Sequence, residues 1–222
     1  PCSTALAEAE IEYKDHKSIS VYVGFSLTES ASKTLDLSTH TNIIIWTTTP
    51  WTLPANLGIA VHPETEYVLF KCDKGQFIVA KDLLDSTATA CTFNELSIVK
   101  TFKGKLLENL ETQHPFVERK SPIVLADYVT TESGTGCVHT APGHGMDDYL
   151  TGLKYEMEIY CPLDDQGCYV DDGQIPSELI GQSVLEKDGN ISDANRSVLK
   201  ILAQKEALIA KKSIEHSYPP CW

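Results

Sequence analysis

Long apolar runs are absent from this sequence. The strongest, Ile43-Ile44-Ile45-Trp46, is four residues, against the roughly 18–20 that a membrane-spanning helix requires. A helical transmembrane protein is therefore excluded. Paired cysteines are missing too: Cys2, Cys72, Cys91, Cys137, Cys161, Cys168 and Cys221 are odd in number, irregularly spaced and nowhere arranged as Cys-x-x-Cys. That argues against a disulfide framework and against a complete structural zinc site. The chain opens on a polar Pro-Cys-Ser-Thr with no signal-peptide pattern, so a reducing, cytoplasmic setting is expected. Positive charge is scarce, with 18 Lys+Arg facing 31 Asp+Glu for a formal net charge of −13. Nonspecific binding of nucleic acid through bulk electrostatics is disfavoured by that balance, whereas a pocket holding one nucleotide or one RNA end is not. The acidic residues are spread along the chain, which reads as solubility.

At 42% hydrophobic and 22% charged, the 222 residues can bury a sizeable core. Residues 20–25 alternate with period two, as a strand with one buried face does. Residues 42–49 form a β-branched run, apolar and then hydroxylated, expected to leave the core toward a polar site. Further strands are predicted at 58–61, 67–71, 76–80, 97–102, 123–126 and 136–140. Helices are fewer: one turn at 81–84, a short helix at 147–154 with an acidic first turn, and an amphipathic helix at 192–205 capped by Ser192 or Asp193. The expected fold is one α+β domain with a β-barrel-rich or strongly curved centre and short peripheral helices.

Two segments carry the candidate chemistry. In Trp46-Thr47-Thr48-Thr49-Pro50-Trp51-Thr52-Leu53-Pro54-Ala55-Asn56, three threonines supply hydroxyls and amides, and Pro50 ends the ladder and forces a turn. The result is a donor-rich strand end walled by Trp46 and Trp51, suited to a polar ligand with a flat ring, or else an ordinary strand with core tryptophans. The second segment is Gly134-Thr135-Gly136-Cys137-Val138-His139-Thr140-Ala141-Pro142-Gly143-His144-Gly145-Met146-Asp147-Asp148-Tyr149. Here Gly143 and Gly145 permit close approach and positive φ, and the loop delivers two carboxylates to a helix start. Three readings are open: a metal site, which the His139–His144 spacing disfavours; a structural turn with capping aspartates; and a metal-free pocket whose carboxylate binds a cation or positions water.

Together these segments closely resemble the editing domain of isoleucyl-tRNA synthetase, the connective polypeptide 1 insertion of a class I enzyme. The resemblance covers essentially the whole chain. The valyl and leucyl siblings share the Gly-Thr-Gly-x-Val-His and Asp elements but carry an Arg-Pro-Glu-Thr or Arg-Pro-Asp-Thr sequence where this chain has Thr49-Pro50-Trp51-Thr52; Met146 is a mild departure from the family pattern. The resemblance implies residues 1–222 as a single editing domain, with 1–18 and 214–222 as stalk segments leading to a catalytic domain. It implies hydrolysis of valine from the 3′ end of mischarged isoleucine tRNA, isoleucine being spared, with a non-catalytic insertion binding the tRNA acceptor end as the alternative. Asp148 would bind the substrate's α-ammonium, and His139 would form the wall that excludes isoleucine. Thr47, Thr48 and Thr49 would hold the terminal adenosine and ester and position water, with Asp148, Thr48 and Thr49 as the catalytic set. Asn56, Trp46 and Trp51 would line the pocket, and Asp147 and His144 would be supporting or solvent-facing. No side chain is expected as nucleophile, Cys137 included. No cofactor is expected in this domain; the parent enzyme would use ATP and magnesium, with a possible stalk zinc at Cys2 or Cys221. The expected partners are valine-charged tRNA and the rest of the synthetase, the domain itself being monomeric and without membrane contact. Lys100, Lys103, Lys105, Arg119 and Lys120 are the basic residues considered for RNA contact.

Overall fold

Ile43, Ile44 and Ile45 are all fully buried, although neighbours on a strand point to opposite faces. The sheet that holds them must therefore be covered on both sides. In the computed structural model, which describes residues 14–37, 40–185 and 191–218, the strands are β1 Lys14–Leu27, β2 Asn42–Thr47, β3 Gly58–Val61, β4 Glu66–Cys72, β5 Gly75–Ala80, β6 Ser97–Lys103, β7 Glu111–Gln113, β8 Lys120–Leu125, β9 Cys137–Thr140 and β10 Leu208–Tyr218. The helices are α1 Glu29–Thr34, α2 Leu84–Cys91, α3 Met146–Lys154 and α4 Asp193–Gln204. Among the described residues the strands make one mixed sheet in the order β6-β4-β5-β2-β1-β7-β8-β3-β9, with β10 added on β1. Its far end curls back until β9 packs against β2, the strongly curved centre that the strand spacing predicts.

The isoleucine triplet divides between two cores. Ile43 and Ile45 join Val21, Val23, Phe25, Leu53, Ile59 and the α4 residues Ala194, Val198 and Leu202. Ile44 faces the other way, into Tyr22, Val68, Phe70, Phe77, Val79 and the α2 residues Leu84 and Ala88. Burial of each such side chain contributes about 1.5–3 kcal/mol. Helix α2 extends well past the single turn predicted at 81–84: a 3-10 turn at Lys81–Leu83 runs directly into it.

Three elements set the site. The strand expected over 42–49 ends at Thr47, and Pro50–Ala55 forms a 3-10 helix. Both backbone groups of Trp51 in that turn are clamped: its N–H donates to Asn195 Oδ1 of α4 at 2.9 Å, and its carbonyl accepts from the Tyr169 hydroxyl. Helix α4 is itself held by Ser192, whose side chain accepts from the Asn195 N–H. The loop before β9 is pinned at Gly136, where φ is +71° and a Cβ would lie 2.4 Å from Ala80 Cβ. Only glycine fits there, because the left-handed backbone and the close approach both exclude a side chain. The Gly136 carbonyl accepts from Tyr67 Oη at 2.6 Å, and the Thr135 carbonyl from the Ala80 N–H at 2.8 Å.

The first strand runs beyond the sheet. Among the described residues Lys14 to Ser20 pair only with β10, from Lys14↔Tyr218 to Ser20↔Lys212, whereas β2 joins from Val21 onward. This two-stranded ribbon lies where stalk segments are expected; residues 1–13 and 219–222, with Cys2 and Cys221, fall outside the described residues. No described helix is long and apolar enough to cross a membrane.

Candidate functional site

The turn after β2 and the loop after β9 meet at a cleft of about 250 Å³ lined by Trp46, Thr47, Thr49, Thr52, Val138, His139, His144, Gly145 and Asp148. A neighbouring cleft of about 280 Å³ shares Trp46, Thr47 and Val138 and adds Thr48, Tyr128, Thr130, Ser133 and the Gly134–Gly136 loop. Thr47 and Thr49 therefore open on the first cleft, while Thr48 opens on the second. The threonine turn is self-braced, with the Thr49 N–H donating to Thr47 Oγ1 at 3.1 Å and the two hydroxyls 3.2 Å apart.

Asp148 is the third residue of α3, at the positive end of the helix dipole, where a carboxylate is favoured. Its Oδ2 accepts from the Ala141 N–H at 3.0 Å. Gly145, the residue before the helix, makes room for it: a Cβ there would lie 3.1 Å from Oδ2. Burial raises the Asp148 pKa, partly offset by the Ala141 bond. Among the described residues no Lys or Arg lines either cleft, and none is paired with this carboxylate. Gly143 also makes the expected close approach, 2.2 Å from a hypothetical Cβ to the Tyr160 carbonyl oxygen. Neither Gly143 nor Gly145 takes the positive φ that the sequence suggested.

His139 is 7% exposed, and the protein uses both of its ring nitrogens. Asn56 Nδ2 contacts His139 Nδ1 at 2.9 Å and donates to the Gly58 carbonyl at 2.8 Å. A carbonyl only accepts, so the amide nitrogen faces the histidine and Nδ1 is the acceptor. In that orientation Asn56 Oδ1 accepts from Ser121 Oγ at 2.6 Å. At the other nitrogen, Thr52 Oγ1 lies 2.7 Å from Nε2 and gives its own proton to the Thr49 carbonyl at 2.8 Å. Nε2 must then carry the hydrogen. A one-way chain runs from Ser121 through Asn56, His139 and Thr52 to the threonine turn, leaving only the ring's carbon edge for the cleft.

Two of the residues expected to line the pocket lie outside both cleft linings. Asn56 is fully buried and stands behind His139 instead of lining the cavity. Trp51 lies outside both linings and packs edge-on against His144, with ring centroids 5.2 Å apart. Conversely, Thr52, Val138 and His144 line the cleft, although the motifs single out neither Thr52 nor Val138 and His144 was expected to be supporting or solvent-facing. Asp147 is exposed. Cys137 is buried and its thiol pKa is raised by burial, the opposite of an activated nucleophile. Among the described residues no three His, Cys, Asp or Glu side chains come together as a metal cluster would need. The five basic residues all have partners within the protein: Lys100 reaches the Leu35 carbonyl, Lys103 the Glu64 carbonyl, Lys105 the Glu64 carboxylate, Lys120 the Glu111 carboxylate, and Arg119 the Pro54 and Asn56 carbonyls.

The family model for the leucyl-tRNA synthetase editing domain matches residues 18–206. The chain belongs to this editing-domain family. It is also similar to the isoleucine–tRNA ligases of Petrotoga mobilis (46% identical over 221 residues), Nitratidesulfovibrio vulgaris strain DP4 (48% over 225) and Bacillus subtilis strain 168 (45% over 219). These alignments cover 100%, 100% and 99% of the chain but only 22%, 23% and 22% of the relatives, so the editing domain spans under a quarter of those ligases. The isoleucyl-type assignment made from the sequence motifs agrees with them. A crystal structure described as GlLeuRS-CP1 superimposes with a TM-score of 0.64 at 15% identity, covering 90% of this chain and all of that one, which shows the shared fold.

The buried histidines give this editing domain a predictable acid response. Burial lowers the His139 pKa to about 3 and that of His114 to about 4, the latter ring donating from Nε2 to the Leu53 carbonyl. Between the ordinary value of 6.5 and these folded values, the unfolded chain binds more protons than the native one. The stabilisation is thus complete above pH 6.5 and is lost on acidification, by up to about 1.4 kcal/mol per pH unit for each histidine. Urea midpoints measured from pH 8 to pH 4.5 should be flat at first and fall below pH 6.5. A midpoint unchanged between pH 7 and pH 5 would contradict the neutral, fully paired histidines.

Proposed function

We propose that this editing domain hydrolyses the ester joining valine to the 3′-terminal adenosine of isoleucine tRNA and spares the isoleucyl ester. The observation that carries the reading is that Asp148, Thr47, Thr49 and His139 line one cleft. The carboxylate takes the substrate's α-ammonium, the most direct use for an anion that has no cationic partner among the described residues. The aminoacyl group then occupies the first cleft, and the adenosine extends past the Trp46–Thr47–Val138 ridge into the second, among Thr48 and the hydroxyl-bearing loop. Water attacks the ester carbonyl directly, with the threonine groups positioning it.

A second sieve has a sound physical purpose. One methylene separates the two amino acids by only about 1–3 kcal/mol of pocket binding, a general value for which isoleucyl-tRNA synthetase is itself the familiar illustration. In the complete protein, attachment of isoleucine to tRNA with ATP and magnesium would produce the occasional error that this domain removes. The formal charge of −13 leaves most tRNA affinity to the rest of that protein.

The test is a deacylation time course with valyl- and isoleucyl-tRNA as paired substrates. Valyl ester should disappear and isoleucyl ester persist; binding without hydrolysis would identify a non-catalytic insertion. His139→Ala should open the wall and let isoleucyl-tRNA be hydrolysed, reducing the valine preference by roughly 10-fold or more, the worth of about one methylene. An unchanged preference would remove His139 from the sieve.

A further inference from the structure

We propose that His144 is a catalytic residue of this cleft, the group that accepts the proton of the attacking water. This rests on the deacylase reading above and supplies what that reading lacks, a base. The lining residues leave few candidates. Trp46, Val138 and Gly145 carry no basic group, and the threonine hydroxyls are far too weak to take a proton at neutral pH. His139 has both nitrogens committed, Nδ1 to Asn56 and Nε2 to Thr52. Asp148 is bound to the Ala141 N–H and is the anion that holds the substrate's ammonium.

His144 differs from each of these. It lines the same cleft as Asp148 and Thr49, and among the described residues neither ring nitrogen has a hydrogen-bond partner. The Trp51 ring, perpendicular to it at 89°, sets its orientation, and the His144 N–H to Ala141 carbonyl bond at 2.9 Å fixes its backbone. Trp51 is in turn clamped by Asn195 and Tyr169, so an aimed imidazole stands on a rigid support. Half-burial lowers its pKa and keeps the ring in the neutral form that can take a proton. Other titratable groups around it are His139 on β9, Asp147 and Asp148 at the start of α3, and Tyr160 and Cys161 behind Gly143.

The step balances. Water gives one proton to His144 as its oxygen bonds to the ester carbonyl carbon. Collapse of the tetrahedral species breaks the carbon–oxygen bond to the ribose, and the departing oxygen takes the proton back from the imidazolium. The products are a tRNA 3′ end bearing a free hydroxyl and a carboxylic acid that ionises to solvent, with the imidazole neutral again.

The experiment is chemical rescue in the full-length protein, using valyl-tRNA. His144→Ala should lower kcat for deacylation by at least about 100-fold, leave KM within a few-fold, and recover activity in proportion to added imidazole. Rescue by imidazoles of graded basicity should rise with their pKa, a response that a merely structural side chain would not give. His144→Phe keeps the aromatic contact with Trp51 and should be equally slow without being rescued, which covers a failure of the alanine variant to fold. A phenylalanine variant with wild-type rate, or an alanine variant that is slow but indifferent to imidazole, overturns the assignment while leaving the deacylase reading intact. A wild-type protein unable to hydrolyse valyl-tRNA overturns both.

Discussion

Replacing Asp148 by asparagine is expected to lower kcat/KM for valyl-tRNA deacylation by roughly 10²- to 10³-fold, because truncating one partner of a desolvated charge pair costs about 2–5 kcal/mol. The substitution is nearly isosteric. The amide oxygen can still accept from the Ala141 N–H as Oδ2 does at 3.0 Å, so the start of α3 should keep its geometry. Burial already disfavours the charge, so neutralising it should leave stability unchanged or slightly higher. Activity and stability should therefore separate: thermal unfolding like the wild type, with hydrolysis nearly lost. Near-wild-type deacylation by the asparagine variant would show that the ammonium is held elsewhere.

The second large effect should come from a residue that touches no substrate. Asn56→Leu keeps the volume but strands three buried partners: the Ser121 hydroxyl, the Gly58 carbonyl and His139 Nδ1. Each unpaired buried group costs about 1–3 kcal/mol, so a loss of roughly 3–5 kcal/mol in unfolding free energy is expected from denaturant titration. Asn56→Asp tests polarity instead of packing. A carboxylate beside Nδ1 can only accept, so the histidine's hydrogen should move from Nε2 to Nδ1, as imidazole ¹⁵N shifts would report. Thr52 would then have to donate to Nε2 and release the Thr49 carbonyl. A tautomer unaffected by that exchange would mean that Asn56 does not set the histidine.

Much of the fold can be read from periodicity and caps. The helix predicted at 192–205 appears as Asp193–Gln204 with Ser192 as its cap, and the one predicted at 147–154 begins one residue earlier. Where the reading failed, local signals were overridden. Leu84-Asp-Ser-Thr-Ala-Thr-Ala-Cys91 is poor in strong helix formers, and α2 exists because Leu84, Thr87, Ala88 and Cys91 bury against the sheet. Strand β8 starts at Lys120, not 123, and contains Pro122, a residue that demotes a strand on sequence grounds. The charged run in β10 pairs with β1 although it lacks a clean apolar alternation. At the site, the motifs located Thr47, Thr49, His139 and Asp148, but not their division of labour. That Asn56 lies behind a histidine, or that Thr48 and Thr49 open on different clefts, depends on where the chain turns at Pro50 and how β3 registers with β9. Ile59↔His139 pairing is a long-range fact that no local pattern states.

The ribbon of β1 and β10 has a mechanical consequence. Load applied at Lys14 and Tyr218 pulls two antiparallel strands apart from their shared end, so the cross-links between them break in succession and never resist together. Peeling is therefore soft from Lys14 to Ser20. It is arrested at Val21, where β2 grips the other edge of the same strand. The first clamping pair is Val21↔Thr47, so the ribbon's load meets the sheet at the first residue of the threonine turn.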